Sequence, residues 1–335
     1  MRFLLKLILM LALLAGMAAG TAWWWLGQPI GFRTGVAAEP LPEFTIEPGH
    51  SARTAAQRIH AAGADVPVPL LYAWFRFSGR AHLIQAGTYT LSPGLTPRTL
   101  LERMVRGEQA LRSITLVEGW TFRDAVAALQ ASPHLVQDLR GMTPEQIMAH
   151  LGLPGEHPEG RFFPDTYRVA RNTPASAVLR QAAQAMERQL AQAWAQRYPD
   201  NPLKSPREAL ILASIIEKET GSGADRAMIA GVFANRLRIG MRLQTDPTII
   251  YGLGASFDGN LRRIDLQTDG PYNTYTRAGL PPTPIALPGR ASLMAAVQPA
   301  STRALYFVAR GDGSSHFSET LSEHNDAVRR YILKR

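Results

Sequence analysis

Residues 205–220 read S-P-R-E-A-L-I-L-A-S-I-I-E-K-E-T, and this stretch predicts the helix on which the fold depends. Ser205 is a favourable N-cap, Pro206 suits the first helical position, and Glu208 stands where a capping box requires an acid. Residues 209–216 are apolar apart from one serine. A helix that is apolar on every side is normally surrounded by other elements, so we expect it at the centre of a domain.

The end of this helix has an unusual charge pattern, Glu217-Lys218-Glu219-Thr220, before Gly221 as a candidate C′ glycine. Carboxylates here face the negative end of the helix dipole, and both that field and burial raise the pKa of a carboxyl group. Residues two apart lie about 200° apart around a helix, so Glu217 and Glu219 cannot both face one cleft. One acid kept protonated here would suit a general acid. The alternative is a solvated helix end whose charge Lys218 offsets, and these residues alone favour it.

The composition is that of a folded protein of two or three domains. The 335 residues are 46% hydrophobic and 19% charged, which excludes a disordered chain. There is no cysteine, which excludes disulfides, thiolate nucleophiles and thiolate zinc sites. No spacing of His and Asp indicates a metal site, so we expect neither a metal nor another cofactor.

The N-terminus predicts a membrane anchor. A basic start precedes a run without charge from Leu7 to Leu26, and this run ends in tryptophans. Twenty helical residues are about 30 Å long, enough to cross the hydrocarbon core of a bilayer, and tryptophan favours its interface. We therefore expect a cytoplasmic segment over residues 1–6, a single transmembrane helix over residues 7–27 and an exported remainder. A cleaved signal peptide is the alternative, because small residues suited to cleavage occur within and after the run.

The net charge of +9 favours an anionic partner. The positive residues are dispersed along the chain, and an exported domain would not meet nucleic acid. We therefore expect an anionic membrane surface or an acidic wall polymer as partner, and no nucleic acid. Simple solubility is the alternative explanation of the charge.

The exported part divides into a linker and successive folded segments. Residues 28–43 carry Pro, Gly and Glu without periodicity, which is typical of a linker. Residues 44–91 predict the order β-α-α-β, with a Ser N-cap before the first helix. Residues 92–160 form a connecting subdomain of short elements, and a helix over residues 175–197 precedes the central one. The predicted fold class is α+β.

Polar side chains suited to a sugar site cluster beyond the central helix. They are Gln244, Thr245 and Asp246 at one turn, and Asn273 and Tyr275 in a second loop. Sugars present hydroxyl groups and C–H faces, which amide, hydroxyl and aromatic side chains can bind. Ordinary hydrogen bonding within turns is the alternative for each of them.

Several long motifs resemble those of the endolytic murein transglycosylases, the YceG-like family. They are A-S-I-I-E-K-E-T at 213–220, N-R-L-R-I-G-M-R-L-Q-T-D-P-T at 235–248, Y-N-T-Y at 272–275, the F-x-P-D-T core within 160–167, G-L-P-P at 279–282 and Y-F-V-A at 306–309. The motifs are long, ordered and distributed from about residue 44 to the end of the chain. The resemblance is therefore specific.

This resemblance implies a single-pass protein of the bacterial inner membrane with a periplasmic catalytic part. Residues 44–91 would be a LysM-like module, and residues 92–335 a YceG-like catalytic domain. The family cleaves the β-1,4 bond between MurNAc and GlcNAc within glycan strands without water, which leaves 1,6-anhydro-MurNAc ends and terminates new strands. The implied partners are peptidoglycan glycan strands, the inner membrane and peptidoglycan synthases.

The family's catalytic glutamate falls on Glu219. In a lytic reaction one carboxyl group can act first as acid and then as base. An ordinary glycosidase needs two carboxyl groups, and Asp246 as the second would make the chain a hydrolytic muramidase. A non-catalytic glycan-binding scaffold is the other alternative. The expected substrate-binding residues, which would position the sugars or stabilise an oxocarbenium-like state, are Gln244, Thr245, Asp246, Asn273, Tyr275 and Glu217.

Overall fold

The computed structural model describes residues 2–33, 41–219 and 223–333. It contains two compact units, each with its own hydrophobic core. Unit 1 comprises Met1–Arg112 and Arg168–Arg171, and unit 2 comprises Ser113–Tyr167 and Asn172–Arg335. Helices and short strands are mixed throughout the described residues, which confirms the α+β class.

Unit 1 combines helices with two small antiparallel strand pairs. Its helices are α1 (Arg2–Leu26), α2 (Ala52–Ala61), α3 (Val68–Phe77) and α4 (Pro97–Arg106), and its strands are β1 (Gly31–Phe32), β2 (Glu43–Ile46), β3 (Ala64–Asp65) and β4 (Gly87–Thr90). Strand β2 pairs with β4, and β1 pairs with β3. The predicted β-α-α-β order is present as β2, α2, α3 and β4, with the short β3 between the two helices. The assignment of this segment as a LysM-like module stays a prediction.

The N-terminal helix continues directly into the folded part of unit 1. Residues Phe3–Leu26 form one helix long and apolar enough to cross a membrane. Leu26 and Ile30 are buried, and the N–H of Ile30 donates to the carbonyl of Leu95 (2.7 Å). The chain that leaves the helix therefore packs into the unit 1 core at Ile30, within the span 28–43 that was predicted as a linker, and the bounds of that linker stay a prediction. Residues 34–40 of that predicted linker lie outside the described residues.

Unit 2 is larger and mainly helical. Its helices are α5 (Phe122–Ala131), α6 (Pro144–His150), α7 (Ala175–Ala195), α8 (Pro206–Glu219), α9 (Arg226–Arg238), α10 (Asp246–Leu253), α11 (Arg263–Gln267), α12 (Arg290–Val297) and α13 (Leu321–Tyr331). The remaining strands are β5 (Leu111–Thr115), β6 (Leu135–Val136), β7 (Thr166–Ala170), β8 (Thr173–Pro174), β9 (Tyr306–Ala309) and β10 (Ser315–Ser318). Strand β5 pairs with β7, β6 runs parallel to β8, and β9 runs antiparallel to β10.

Helix α8 is the centre of the unit 2 core, as predicted. Every residue from Ala209 to Ile216 is buried, and helices α7, α9, α10 and α12 pack around it. Even its one internal hydroxyl is used, because Ser214 Oγ donates to the carbonyl of Ile211 (2.7 Å) and accepts the N–H of Ile285 (3.0 Å). A helix enclosed in this way holds its last residue in a fixed place.

The N-terminal cap of α8 differs in one bond from the predicted capping box. Ser205 Oγ accepts the N–H of Glu208 (3.2 Å), as expected. The Glu208 carboxylate accepts the N–H of Lys204 (2.7 Å), one residue before the cap residue. At the other end, the predicted cap at Thr220 and Gly221 lies outside the described residues.

Candidate active site

Glu219 ends helix α8 beside a cavity of about 430 Å³. Helices α9, α10 and α13, strand β9 and the loop after α11 also contribute to its walls. The lining residues are Glu219, Arg236, Gln244, Asp246, Tyr275, Tyr306, Phe307, Leu321, His324 and Asn325. The cavity therefore brings together four of the predicted site residues: Glu219, Gln244, Asp246 and Tyr275.

The environment of Glu219 favours its protonated form. Burial is the largest influence and raises the pKa of its carboxyl group, and the negative charge of Asp246 raises it further. A hydrogen bond from Thr245 Oγ1 to Glu219 Oε1 and the positive charge of Arg236 oppose this effect and lower the pKa. The carboxyl group thus keeps its proton to a higher pH than an exposed glutamate, yet has two groups ready to stabilise its anion.

Thr245 is a partner of this acid and is itself buried. Its N–H donates to Thr274 Oγ1 (3.1 Å), and its carbonyl accepts a hydrogen bond from Thr248 Oγ1 (2.8 Å). The hydroxyl groups of Thr248 and Thr274 are also bonded to each other (2.9 Å). Three buried threonines therefore fix the start of α10 and aim the hydroxyl of Thr245 at Glu219.

Arg236 is a charged site residue that the sequence did not single out. It is buried in α9, where Nε donates to the carbonyl of Leu305 (2.7 Å) and Nη1 donates to the carbonyl of Leu243 (2.5 Å). Its guanidinium carbon lies 5.3 Å from the centre of the Tyr306 ring. The sequence does contain a signal for this residue, because Arg236 occupies a position of the apolar stripe of α9. A buried arginine needs hydrogen-bond partners, so such a position indicates a polar site.

Asp246 and Tyr275 form a second polar pair in the same cavity. The Tyr275 hydroxyl donates a hydrogen bond to Asp246 Oδ1 (2.6 Å). Burial, and after it this hydrogen bond and the charge of Asp246, raise the pKa of the tyrosine, which therefore stays a donor. Asp246 begins α10, where a carboxylate is favoured by the helix dipole. Gln244, two residues before it, has a φ of +50°, a conformation that is uncommon for a residue with a side chain.

Asn273 shapes the loop that carries Tyr275. Its Nδ2 donates to the carbonyls of Asp265 (3.0 Å), Leu266 (3.2 Å) and Thr268 (2.7 Å). Its Oδ1 accepts the N–H groups of Tyr275 (2.9 Å) and Thr276 (3.3 Å). The side chain is buried and its polar atoms are occupied within the protein, so it is placed to orient Tyr275.

Glu217 faces away from Glu219, as the helix geometry predicted. Its Oε2 accepts the N–H of Gly289 (2.8 Å), and its Oε1 lies 3.8 Å from Arg226 Nη2. The side chain is only 6% exposed and is not part of the cavity wall. Its contacts hold the start of α12 against the end of α8.

His324 is a cavity residue that lies far from the motifs in the sequence. Its ring stacks on Tyr306 with centroids 5.3 Å apart, and burial and the charge of Arg236 lower its pKa. A neutral imidazole on an aromatic wall can face the C–H surface of a sugar or accept a hydroxyl proton. Within residues 2–33, 41–219 and 223–333, no group of three or more His, Asp and Glu side chains has the arrangement of a metal site.

Known proteins are similar to this chain in sequence and in fold. Residues 44–330 match the YceG-like family. An endolytic murein transglycosylase of Bacillus subtilis (strain 168) is 35% identical over 268 residues, which cover 74% of this chain and 73% of that relative. An endolytic murein transglycosylase of Streptococcus pneumoniae serotype 2 (strain D39) is 27% identical over 286 residues, which cover 74% of this chain but 51% of that relative. The crystal structure of a yceG-like protein from Listeria monocytogenes is similar with a TM-score of 0.56 and 29% identity, over 86% of this chain and 99% of that chain.

Proposed function

Because the chain belongs to the YceG-like family, we infer that it is an endolytic murein transglycosylase, a lyase that cuts peptidoglycan glycan strands internally. The observation that supports this inference best is the placement of Glu219. A single carboxyl group with a raised pKa ends a buried helix beside a cavity walled by aromatic, amide and carboxylate groups. A general acid that protonates a glycosidic oxygen needs such a carboxyl group beside a sugar-binding cavity.

In the reaction that we propose, Glu219 donates its proton to the oxygen of the MurNAc–GlcNAc bond. The bond between this oxygen and C1 of MurNAc breaks, and C1 gains oxocarbenium character. The Glu219 carboxylate then takes the proton of the C6 hydroxyl of the same MurNAc, and the C6 oxygen bonds to C1. The products are a free GlcNAc hydroxyl and a 1,6-anhydro-MurNAc end, and no water is consumed.

The neighbours of Glu219 can stabilise it both as the protonated acid and as the carboxylate base. When the proton leaves, Thr245 donates a hydrogen bond to the new carboxylate and Arg236 supplies a positive charge. Asp246, held by Tyr275, supplies a negative charge toward the cationic sugar. Gln244 is available for the sugar hydroxyls. We assign Asn273 and Glu217 positioning roles, because their polar atoms bond within the protein.

Hydrolysis is the alternative reaction, and Asp246 is the residue that would support it. It lies in the same cavity as Glu219, so the two could act as the carboxyl pair of a muramidase with water as the second reactant. The products distinguish the two reactions, since hydrolysis leaves a reducing end that is heavier than the anhydro end by one water.

Helix α1 supports a proposal about location. We propose that it anchors the chain in the bacterial inner membrane with its N-terminus in the cytoplasm, so that unit 2 works in the periplasm near the peptidoglycan synthases. Its length and apolar composition allow it to span the bilayer, and the basic residues that precede its uncharged run favour the cytoplasmic side.

The proposed reaction can be tested with the full chain in detergent and purified peptidoglycan. Glu219→Gln should lower the rate by at least about 10²-fold, because it removes the acid and the base while preserving shape. Glu187→Gln, exposed on α7 and outside the cavity, is the matched control and should keep the wild-type activity. Mass spectrometry of the wild-type products should show internal fragments with 1,6-anhydro ends.

Three results would contradict the proposal. Equal activity of Glu219→Gln and the wild type would exclude Glu219 as the acid, and reducing ends would establish hydrolysis. Absence of product from a folded wild-type chain on uncrosslinked polymeric glycan would favour a binding scaffold.

A further inference from the structure

Helix α3 of unit 1 has two apolar faces. Leu71 and Phe75 point into the unit 1 core and are fully buried. The other face is an apolar stripe, which has the helical spacing i, i+3, i+4 and i+7 and consists of Leu70, Ala73, Trp74 and Phe77. Phe77 is 88% exposed and Leu70 is 52% exposed. A soluble domain rarely leaves a full apolar stripe uncovered, so a partner for this face is expected.

The stripe is continuous with the end of the membrane-crossing helix. A cavity of about 560 Å³ lies between α1 and α3, and its lining residues are Ala18, Thr21, Ala22, Trp24, Trp25 and Leu26 from α1 and Leu70, Ala73, Trp74 and Phe77 from α3. The hydroxyl of Thr21 is bonded within its own helix, to the carbonyl of Met17 (3.0 Å). The indole N–H of Trp74 is likewise occupied, by the carbonyl of Pro97 (3.1 Å). The cavity thus offers an apolar surface along the last 12 Å or so of α1.

Arginines border this apolar surface. Arg76 is exposed at the end of α3, and Arg80 follows it in the next turn. The guanidinium carbon of Arg98 lies 4.1 Å from the centre of the Trp23 ring. Arginine and tryptophan side chains are favoured where hydrocarbon meets lipid phosphate, because each has an apolar body and a polar end. Apolar stripe and basic border together complement a phospholipid leaflet.

We propose that α3 lies in the boundary of the bilayer leaflet on the exported side, with acyl chains covering its stripe and filling the cavity between α1 and α3. This inference rests on the proposed membrane anchor. It gives the βααβ segment a lipid-binding role in place of the glycan-binding role that a LysM-like module would have.

The chain contains no cysteine, so a single reporter can be placed without altering other residues. The experiment uses the full chain in phosphatidylglycerol–phosphatidylethanolamine vesicles, with Phe77→Cys labelled by an environment-sensitive fluorophore. Gln57→Cys, exposed on α2 of the same unit, is the matched control. Quenching is measured with aqueous iodide and, separately, with lipids that carry a nitroxide near the start of the acyl chain.

The label at position 77 should be quenched strongly by the nitroxide lipid and weakly by iodide. The label at position 57 should be quenched strongly by iodide and weakly by the nitroxide lipid. Iodide quenching at Phe77 equal to that at Gln57 would overturn the proposal. Protection from both quenchers would also overturn it, because protein and not lipid would then cover the stripe. Release of the chain from the vesicles by alkaline washing would instead show that the anchor itself is wrong.

Discussion

Thr245 controls the titration of Glu219 through one hydrogen bond. The bond favours the carboxylate form, so Thr245→Val should raise the pKa of Glu219 further. A general acid works while it is protonated, and the basic limb of the pH–rate profile should therefore move to higher pH. The rate at the optimum should fall roughly tenfold, because the anion that must later act as base loses a charge-assisted bond.

Thr88→Val provides the control for this prediction. Thr88 is also buried and bonds another hydroxyl, that of Thr45 (3.0 Å), but it belongs to unit 1. The variant should leave the pH–rate profile unchanged. A profile of Thr245→Val that superimposes on the wild-type profile would show that the bond does not affect the acid.

Glu159 is a second buried acid, and it should make stability depend on pH. Burial raises the pKa of its carboxyl group from 4.5 to about 7, although it accepts the N–H of Phe122 (2.9 Å) and the hydroxyl of Tyr251 (3.1 Å). Between these two pH values the folded protein holds a proton that the unfolded chain releases. Stability therefore falls as the pH rises from about 4.5 to 7, by roughly 3 kcal/mol at about 1.36 kcal/mol per pKa unit.

Glu159→Gln should remove this dependence, because an amide does not ionise. Its melting temperature in detergent should exceed that of the wild type at pH 8 and lie close to it at pH 5. Glu187→Gln, exposed on α7, serves as the control and should show no such gain. A wild-type advantage that grows with pH would contradict the assignment of Glu159 as a buried, protonated acid.

At the scale of elements, α9 depends on a close approach at Gly231. A Cβ atom there would lie 2.7 Å from the carbonyl oxygen of Ala300 and 2.7 Å from Cγ2 of Thr302. Gly231→Ala should therefore push α9 away from this segment and lower stability by about 1–3 kcal/mol. Arg236 lies on the same helix, so the rate should fall as well.

Gly240→Ala separates this clash from a backbone effect. Gly240 has a φ of +68° and open space where a Cβ would lie. We expect a smaller loss of about 1 kcal/mol from the left-handed conformation alone. Thermal unfolding of both variants provides the comparison, and a harmless Gly231→Ala would show that the 300–302 segment can move.

Local sequence signals are clearest for the elements that begin with side-chain caps. Helices α2, α4, α5 and α6 start after Ser51, Thr96, Thr121 and Thr143, each of which accepts an N–H from the first turn. Helix α8 was predicted from its cap and from its unbroken apolar run. In contrast, α10 and α12 are eight residues each and begin without a side-chain cap, so their sequences could be taken for turns. Packing on α8 stabilises them, and that contact is not visible in either segment.

The candidate site was likewise predicted only where local sequence signals exist, and not where distant segments meet. The charges at the end of α8 indicated one unusual acid without choosing between Glu217 and Glu219, and the family resemblance assigned the role to Glu219. Gln244, Asp246 and Tyr275 were named as candidates from the polar clusters that contain them. Arg236 and His324 were missed, because a cavity is a property of several distant segments. Asn273 and Thr245 were expected to contact substrate, and this stays a prediction. In the structure, both side chains bond other groups of the protein.

At the scale of the whole molecule, the proposed anchoring by α1 can be tested directly. We predict that the intact protein stays in the membrane pellet after alkaline carbonate washing and that its mass retains the Trp23–Trp25 segment. Leu13→Arg should reduce the membrane-bound fraction, because a charge at the middle of a span costs about 2.5–3.5 kcal/mol. A mature protein that begins beyond residue 20 would instead establish a cleaved signal peptide.

The burial of Leu26 and Ile30 has a mechanical consequence for the proposed anchor. The chain passes from the last turn of α1 into the unit 1 core within a few residues. The rotation of the proposed anchor about its own axis is therefore fixed relative to this unit. One residue inserted at Gly27 would rotate α1 by about 100° about its axis and turn a different side of it toward α3. A foreign membrane helix grafted onto this protein would therefore have to match an angle as well as a length.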